Sequence, residues 1–235
     1  MTPSAQTRAL LEIAVAFLER AIAAERAGAR RLELCDGLDL GGLTPSLNVV
    51  RRVRSAVRIP IHVMVRPRVG NFIYDRHEFL QMKKDIAALR NEGIQGVVTG
   101  VLLPDHSVDV PRTRELVTLA APVEVTFHRA FDETPDLAVA VEDVILTGAH
   151  RILTSGGASN ATEGSALLCK LIRQARGRIT ILPGGGIHPG NLAELIRATG
   201  ACEIHTGLGT VLPYNSADMA IFESAMRDCL ANLTR

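Results

Sequence analysis

The segment VEVTFH (residues 123–128) decides how the chain folds. Side chains alternate across an extended strand, so Val125 and Phe127 share one face while Glu124, Thr126 and His128 share the other. A strand in an ordinary parallel sheet is apolar on both faces, because helices cover both. This one is not, and neither are its counterparts along the chain. Leu32 and Leu34 oppose Glu33 and Cys35, while Ile61, Val63 and Val65 oppose His62, Met64 and Arg66. Leu11, Ile13 and Val15 oppose Glu12 and Ala14, and Ile204 opposes Glu203 and His205. The apolar face meets a surrounding layer of helices, so the polar face points into an enclosed interior.

β-like runs begin near residues 11, 31, 61, 96, 123, 151, 179 and 203. Helix-like stretches lie between them at 18–27, 47–57, 76–91, 111–119, 137–146, 161–174, 189–199 and 217–230. Gly28, Gly93, Gly148, Gly177 and Gly200 follow helical runs, and Pro45-Ser46, Pro111 and Pro189 stand where helices begin. Eight strand-then-helix units predict an α/β fold, a single-domain (β/α)8 TIM barrel over residues 10–235, with residues 1–9 a loose lead-in. The rival, a doubly wound open sheet, carries a Gly-rich phosphate turn after its first strand. Here Ala16, Phe17 and Leu18 follow Val15 instead.

Composition narrows the partners. The 235 residues carry 26 basic and 25 acidic groups, a formal net charge of +1, which gives no broad field for nucleic acid or an anionic membrane. With 6 Phe, 2 Tyr and no Trp there is little for base stacking. The apolar run 9–17 is broken by Glu12 and is too short to span a bilayer, which takes ~20 residues. It reads as a buried strand. Cys35, Cys169, Cys202 and Cys229 form no C-x-x-C pair, which points to reduced thiols in a cytoplasmic chain. A homodimer or higher homo-oligomer is the expected assembly.

The inferred interior holds Glu12, Glu33, Glu124 and Glu203 beside His62, His128, His205 and Arg66. Buried carboxylates cannot stay unpaired. They pair with Arg66 and the histidines, bind a cation, or surround a solvated cavity. Glu12, His62, Glu124 and Glu203 come early in their strands and are expected to form a structural network. Glu33, Arg66, His128 and His205 come late, at the end where barrel enzymes keep their active sites. Gly184-Gly185-Gly186 follows the seventh strand and Thr206-Gly207-Leu208-Gly209 the eighth, the loops on which barrels often seat a phosphate. Thr154-Ser155-Gly156-Gly157 and Gly41-Gly42-Leu43-Thr44 supply further donors, although glycines also serve simply as turns.

Some chemistry is excluded. The lysines, Lys83, Lys84 and Lys170, all fall in helical stretches, so a Schiff-base mechanism has no nucleophile at a strand end. There is no G-x-S-x-G, H-E-x-x-H or Walker loop. What remains is acid–base chemistry by Glu33, His128 and His205, with Arg66, Arg68 or Arg129 holding an anion, or a Glu/His divalent metal site. The candidate catalytic set is thus Glu33, Arg66, His128, Arg129 and His205, with Ser155, Gly156, Gly184, Gly185, Gly186 and Gly207 binding the ligand. Read as an enzyme, an alternative whose class rests on fold analogy, it would act on a small anionic or phosphorylated molecule as an isomerase, epimerase or lyase.

The stretches RLELCDGLDLGGLTPS (31–46), VMVRPRVGNFIYD (63–75), VTFHRAFDETPD (125–136), RILTSGG (151–157), ILPGGGI (181–187) and CEIH (202–205) together resemble the CutC family of copper homeostasis proteins. The resemblance implies a cytoplasmic, oligomeric TIM barrel concerned with copper. It also implies copper(I) on two cysteines, one in the first strand and one after the Glu-Leu of the second. Cys35 stands at the second position, but Ala14 stands at the first. Met64, on the same inferred face, is a weak substitute. Cu(I) prefers soft sulfur ligands, so Cys35 is the one metal-ligand candidate, set against its plainer role as a small buried side chain.

Overall fold

Residues 9–233 are described by the computed structural model; of the expected lead-in, residues 1–8 lie outside them. In chain order the elements are β1 (Leu10–Val15), α1 (Leu18–Ala27), β2 (Arg31–Leu34), α2 (Leu47–Ala56), β3 (Ile61–Met64), α3 (Arg76–Arg90), β4 (Gly96–Thr99), α4 (Val110–Ala120), β5 (Glu124–Phe127), α5 (Leu137–Thr147), β6 (Arg151–Thr154), α6 (Ser165–Ala175), β7 (Thr180–Pro183), α7 (Leu192–Thr199), β8 (Glu203–Thr206) and α8 (Met219–Asn232). The strands form one sheet in the order β7-β6-β5-β4-β3-β2-β1-β8, and every pair is parallel. β1 pairs with β2 and β8, setting Ala14 opposite Glu33 and Glu12 opposite His205. β7 lies beside β8, and the Thr206 hydroxyl donates to the Ile187 carbonyl at 2.6 Å where the ring closes. The result is a nearly closed (β/α)8 barrel. Among the described residues no helix is long and apolar enough to cross a membrane.

Helix starts follow side-chain chemistry. Asp75, Asp109, Asp136 and Asp218 each accept a first-turn backbone N–H, and Asp75 forms a capping box with Glu78. α6 and α7 begin later than the sequence suggests. Residues 161–164 form a turn, and the Asn191 side chain accepts from the His188 N–H, so that α7 starts only after the Pro189-Gly190-Asn191 turn.

The alternation of the strands sorts the interior into two cores. Leu11, Ile13, Leu32, Leu34, Ile61, Val63, Val125 and Phe127 join the apolar layer against the helices. Cys35, Met64 and Val98 form a separate small cluster on the inner face. Below it the inner face is ionic. Glu12 is bonded to Arg31, Arg31 Nη2 reaches Glu203 at 2.5 Å, and Arg151 reaches Glu203 at 2.8 Å and Glu124 at 2.6 Å. His62 Nε2 lies 3.6 Å from Glu124 at the far end. The expected structural network is therefore present, but its cations are Arg31 and Arg151 rather than Arg66. Both arginines open their strands, on the same face as Glu33 and Leu153.

Removing one partner of a buried pair leaves the other charge uncompensated, at about 3–5 kcal/mol. Arg31→Met is expected to lower the urea unfolding free energy by about that amount. Arg51→Met, which removes a solvent-exposed pair with Glu92, should leave the midpoint unchanged.

Candidate functional site

A cavity of about 410 Å³ opens where the strands end, lined by Glu33, His128, Arg129, His205, Tyr214 and the glycine loops after β7 and β8. Its floor is the top of the ionic layer. His205 Nδ1 lies 2.7 Å from Glu12 Oε1, so Glu12 joins the histidine to Arg31. Burial alone would raise the Glu12 pKa, but His205 and Arg31 hold it well below the usual carboxylate range. Glu33 stands beside this pair without a guanidinium of its own. It is 3% exposed, and its Oε2 has no hydrogen-bond partner among the described residues. Burial and the neighbouring Glu12 charge push its pKa up to about 7, against the opposing pull of His205. Burial lowers the His205 pKa, and Glu33 and Glu12 more than reverse this, so its net shift is upward.

His128 occupies the opposite wall. Its Nδ1 accepts from the Ala130 N–H at 3.3 Å, so a neutral ring carries its proton on Nε2. Nε2 is buried with no partner among the described residues. Burial, helped by the positive charge of Arg66, depresses the His128 pKa to about 3, and the ring stays neutral. The ring lies against Phe72 at 4.7 Å and over Gly100, where a Cβ would come within 2.7 Å of Nδ1. A side chain at residue 100 would push the imidazole out.

Arg129 is aimed by Asp132. The Asp132 carboxylate accepts from Arg129 Nε at 2.8 Å, from the Ser155 N–H and hydroxyl at 3.1 Å, from the Gly157 N–H at 3.1 Å and from the Thr154 hydroxyl. Arg129 Nη2 donates to the Ser155 hydroxyl at 3.0 Å, which leaves Nη1 beside Gly185 with no partner among the described residues. The amides of Gly185, Gly186, Gly207 and Gly209 likewise make no hydrogen bond among the described residues. Tyr214 roofs this side. Its ring lies where a Cβ on Gly207 or Gly209 would stand, 2.8 Å away in the case of Gly207, so both glycines are needed to seat it.

The structure brings together Glu33, His128, Arg129, His205, Gly185, Gly186 and Gly207. Gly41 and the loop 206–209 line it too, while Arg66, Arg68, Ser155, Gly156, Gly184 and Cys35 lie outside the cavity wall. Arg66 donates to the carbonyls of Leu40, Gly42 and Gly70 and stacks on Phe72, tying together the loops after β2 and β3. Arg68 is held by Glu78, Asn71 and Ile73. Ser155 supports Arg129, Gly156 packs on Gly164, and Gly184 makes room for Leu153 and His205. Asp132 and Tyr214 are the additions that sequence did not single out. The paired glycines at 207 and 209 were the visible trace of Tyr214, and nothing local marked Asp132.

Cys35 is fully buried beside Met64, Val98 and Leu38. Burial, with Glu33 and Asp36 nearby, pushes its thiol pKa well above the ordinary value, so it is a protonated thiol rather than a ready thiolate. The other cysteines are remote from it: Cys169 lies on α6, Cys229 on α8, and Cys202 is exposed before β8.

Residues 9–210 match the sequence profile of the CutC family. A CutC family protein of Chromobacterium violaceum is 48% identical over 196 residues, 83% of this chain and 79% of that protein. The human copper homeostasis protein cutC homolog is 45% identical over 196 residues, 83% of this chain and 72% of its own length. A solved structure of a CutC protein from Streptococcus agalactiae superposes with a TM-score of 0.81 at 29% identity, covering 85% of this chain and 98% of that one.

The elevated Glu33 pKa has a signed consequence for stability. The folded state holds the Glu33 proton up to about pH 7, whereas an ordinary glutamate loses it near 4.5. This contribution is therefore present below pH 4.5 and is lost as pH rises through 7. His205, also shifted upward, acts in the same direction. Chelator-treated wild-type protein is expected to lose thermal stability between pH 5 and pH 8, and Glu33→Gln to lose distinctly less, as read by thermal melts across that range.

Proposed function

The chain belongs to the CutC family, and on that footing we propose that it serves copper homeostasis by binding a small anionic molecule at the barrel mouth. One observation carries the proposal. Glu33 Oε2 and His128 Nε2, an acceptor and a donor on residues lining opposite walls of one cavity, are both buried and both lack a partner among the described residues. Such groups cost about 1–3 kcal/mol each when left unsatisfied. Their place in a cavity wall is where a ligand would satisfy them.

Arg129 Nη1 and the four glycine amides supply the anion seat. Backbone N–H groups converging with one guanidinium are the usual means of holding a phosphate or carboxylate. Glu33, with a pKa near neutrality, is suited to take a proton from a bound substrate and return it, with His205 charged beside it. His128, neutral and donating from Nε2, is suited to polarise a carbonyl or hydroxyl of that substrate. The reaction classes that fit are isomerisation, epimerisation or lyase cleavage. Four free cysteines suit work in the cytoplasm.

A second reading, Cu(I) as cargo on sulfur, is favoured by one contact. Cys35 Sγ and Met64 Cε approach the same point above Gly42, at 3.5 and 3.1 Å, so the two sulfur-bearing side chains are neighbours. A buried, protonated thiol without a second cysteine makes this the weaker arrangement. Cu(I) titration of the reduced protein against a competing chelator separates the two: a Cys35→Ser variant that loses binding supports the sulfur site.

Inorganic phosphate and glycerol phosphate are expected to raise the melting temperature of the wild-type protein. Arg129→Ala should weaken the apparent affinity by at least roughly tenfold, the loss of one charge-assisted bond. Arg51→Met should bind as wild type. No stabilisation by either anion at tens of millimolar would contradict the anion seat.

A further inference from the structure

We infer that Glu33, His205 and Glu12 form a site for one divalent first-row transition-metal cation on the floor of the cavity. This deepens the reading of the mouth as a ligand site, because the bound cation would face the same anion. One donor atom from each of the three residues lies within 4.8 Å of the other two. Within that set His205 Nδ1 and Glu12 Oε1 share a 2.7 Å hydrogen bond, so a bound cation would take the place of the proton between them.

Two further observations single out this cluster from the rest of the ionic layer. The first is charge. Arg31 and Arg151 are bonded to Glu12, Glu203 and Glu124, and no guanidinium among the described residues is bonded to Glu33. Two carboxylates therefore meet at His205, and only one of them is bonded to a guanidinium among the described residues. Glu33 Oε2, buried and unpartnered, is the acceptor left over. The second is access. Glu33 and His205 line the cavity together with Ala14, whose small side chain leaves the space beside Glu33 open. A cation can enter from the mouth, and its remaining coordination positions would point at Arg129 and the glycine amides, where an anion would bridge to it.

The donor set fixes the class of metal. Two carboxylate oxygens and one imidazole suit Mn²⁺, Fe²⁺, Zn²⁺ or Cu²⁺ and do not suit Cu(I), which takes soft sulfur. In this chain a divalent ion therefore has better ligands at Glu33 and His205 than Cu(I) has at Cys35.

The test uses the full chain without a histidine tag, stripped with chelator, desalted and titrated with Co²⁺ by visible absorption and with Mn²⁺ by electron paramagnetic resonance. The expected result is one ion per chain, with Glu33→Gln and His205→Asn each weakening binding at least tenfold and Cys35→Ser leaving it unchanged. Glu33→Gln is a neutral isostere at a buried position, and circular dichroism verifies that it folds. Absence of stoichiometric Co²⁺ or Mn²⁺ binding, or binding that survives both substitutions, would overturn the inference. Phosphate stabilisation measured in chelator reports on the anion seat separately. Phosphate binding without metal binding removes this inference alone, and metal binding without phosphate binding removes the anion seat alone.

Discussion

Two guanidiniums set the terms for the whole barrel. Arg31 and Arg151 lie among Glu12, Glu203 and Glu124, and these pairings let strands with one polar face close around a shared interior. Without them the carboxylates would face an enclosed space unpaired, and burying an isolated ion costs more than the apolar outer layer could offset. With them, each strand turns its leucines, isoleucines and valines outward to the helices, where burial stabilises at about 25 cal/mol per Å². The inward charges and the outward apolar layer are one solution, because alternation forces both at once.

The same pairing fills the lower part of the interior and leaves the cavity above it. The lower layer is filled by long, ion-paired side chains. In the upper layer Ala14 lines the cavity beside Glu33, while Gly100 makes room for the His128 ring and Gly184 for Leu153 and His205. Charge compensation also stops at this boundary. Among the described residues Glu12 is the last inward-facing glutamate bonded to an arginine, and Glu33, one step up the neighbouring strand, is bonded to none. The transition from guanidinium-bonded to unbonded glutamates therefore coincides with the transition from packing to cavity. The proposed ligand site accordingly lies at the mouth of the barrel, apart from the buried thiol.

Much of this was legible in the sequence, and the exceptions share a cause. Alternation in Glu12-Ile13-Ala14 and Glu124-Val125-Thr126 is local, so the barrel and its polar interior could be read directly. Arg31 and Arg151 obey the same alternation but stand at strand starts, where a residue is easily taken for a boundary. Arg66 also obeys it, yet its long side chain bends away from the interior to the carbonyls of Leu40, Gly42 and Gly70. Period two gives the direction in which a side chain leaves the strand and not where its charged end arrives. Asp132 takes its role from partners in the β6 turn, distant in sequence, and Tyr214 is seated by the Gly207 and Gly209 backbone of its own loop, whose fold no local pattern specifies.

The central claim is that compensation within the barrel is uneven, outweighing burial for Glu12 and falling short of it for Glu33. Carbon-13 NMR of selectively labelled glutamate carboxyls, titrated from pH 2 to pH 9 in chelator, observes each acid directly. The account predicts one carboxyl that titrates near pH 7 and disappears in Glu33→Gln, and another, assigned through Glu12→Gln, that stays ionised well below the usual range. Two carboxyls that both titrate near the ordinary value of 4.5 would contradict it.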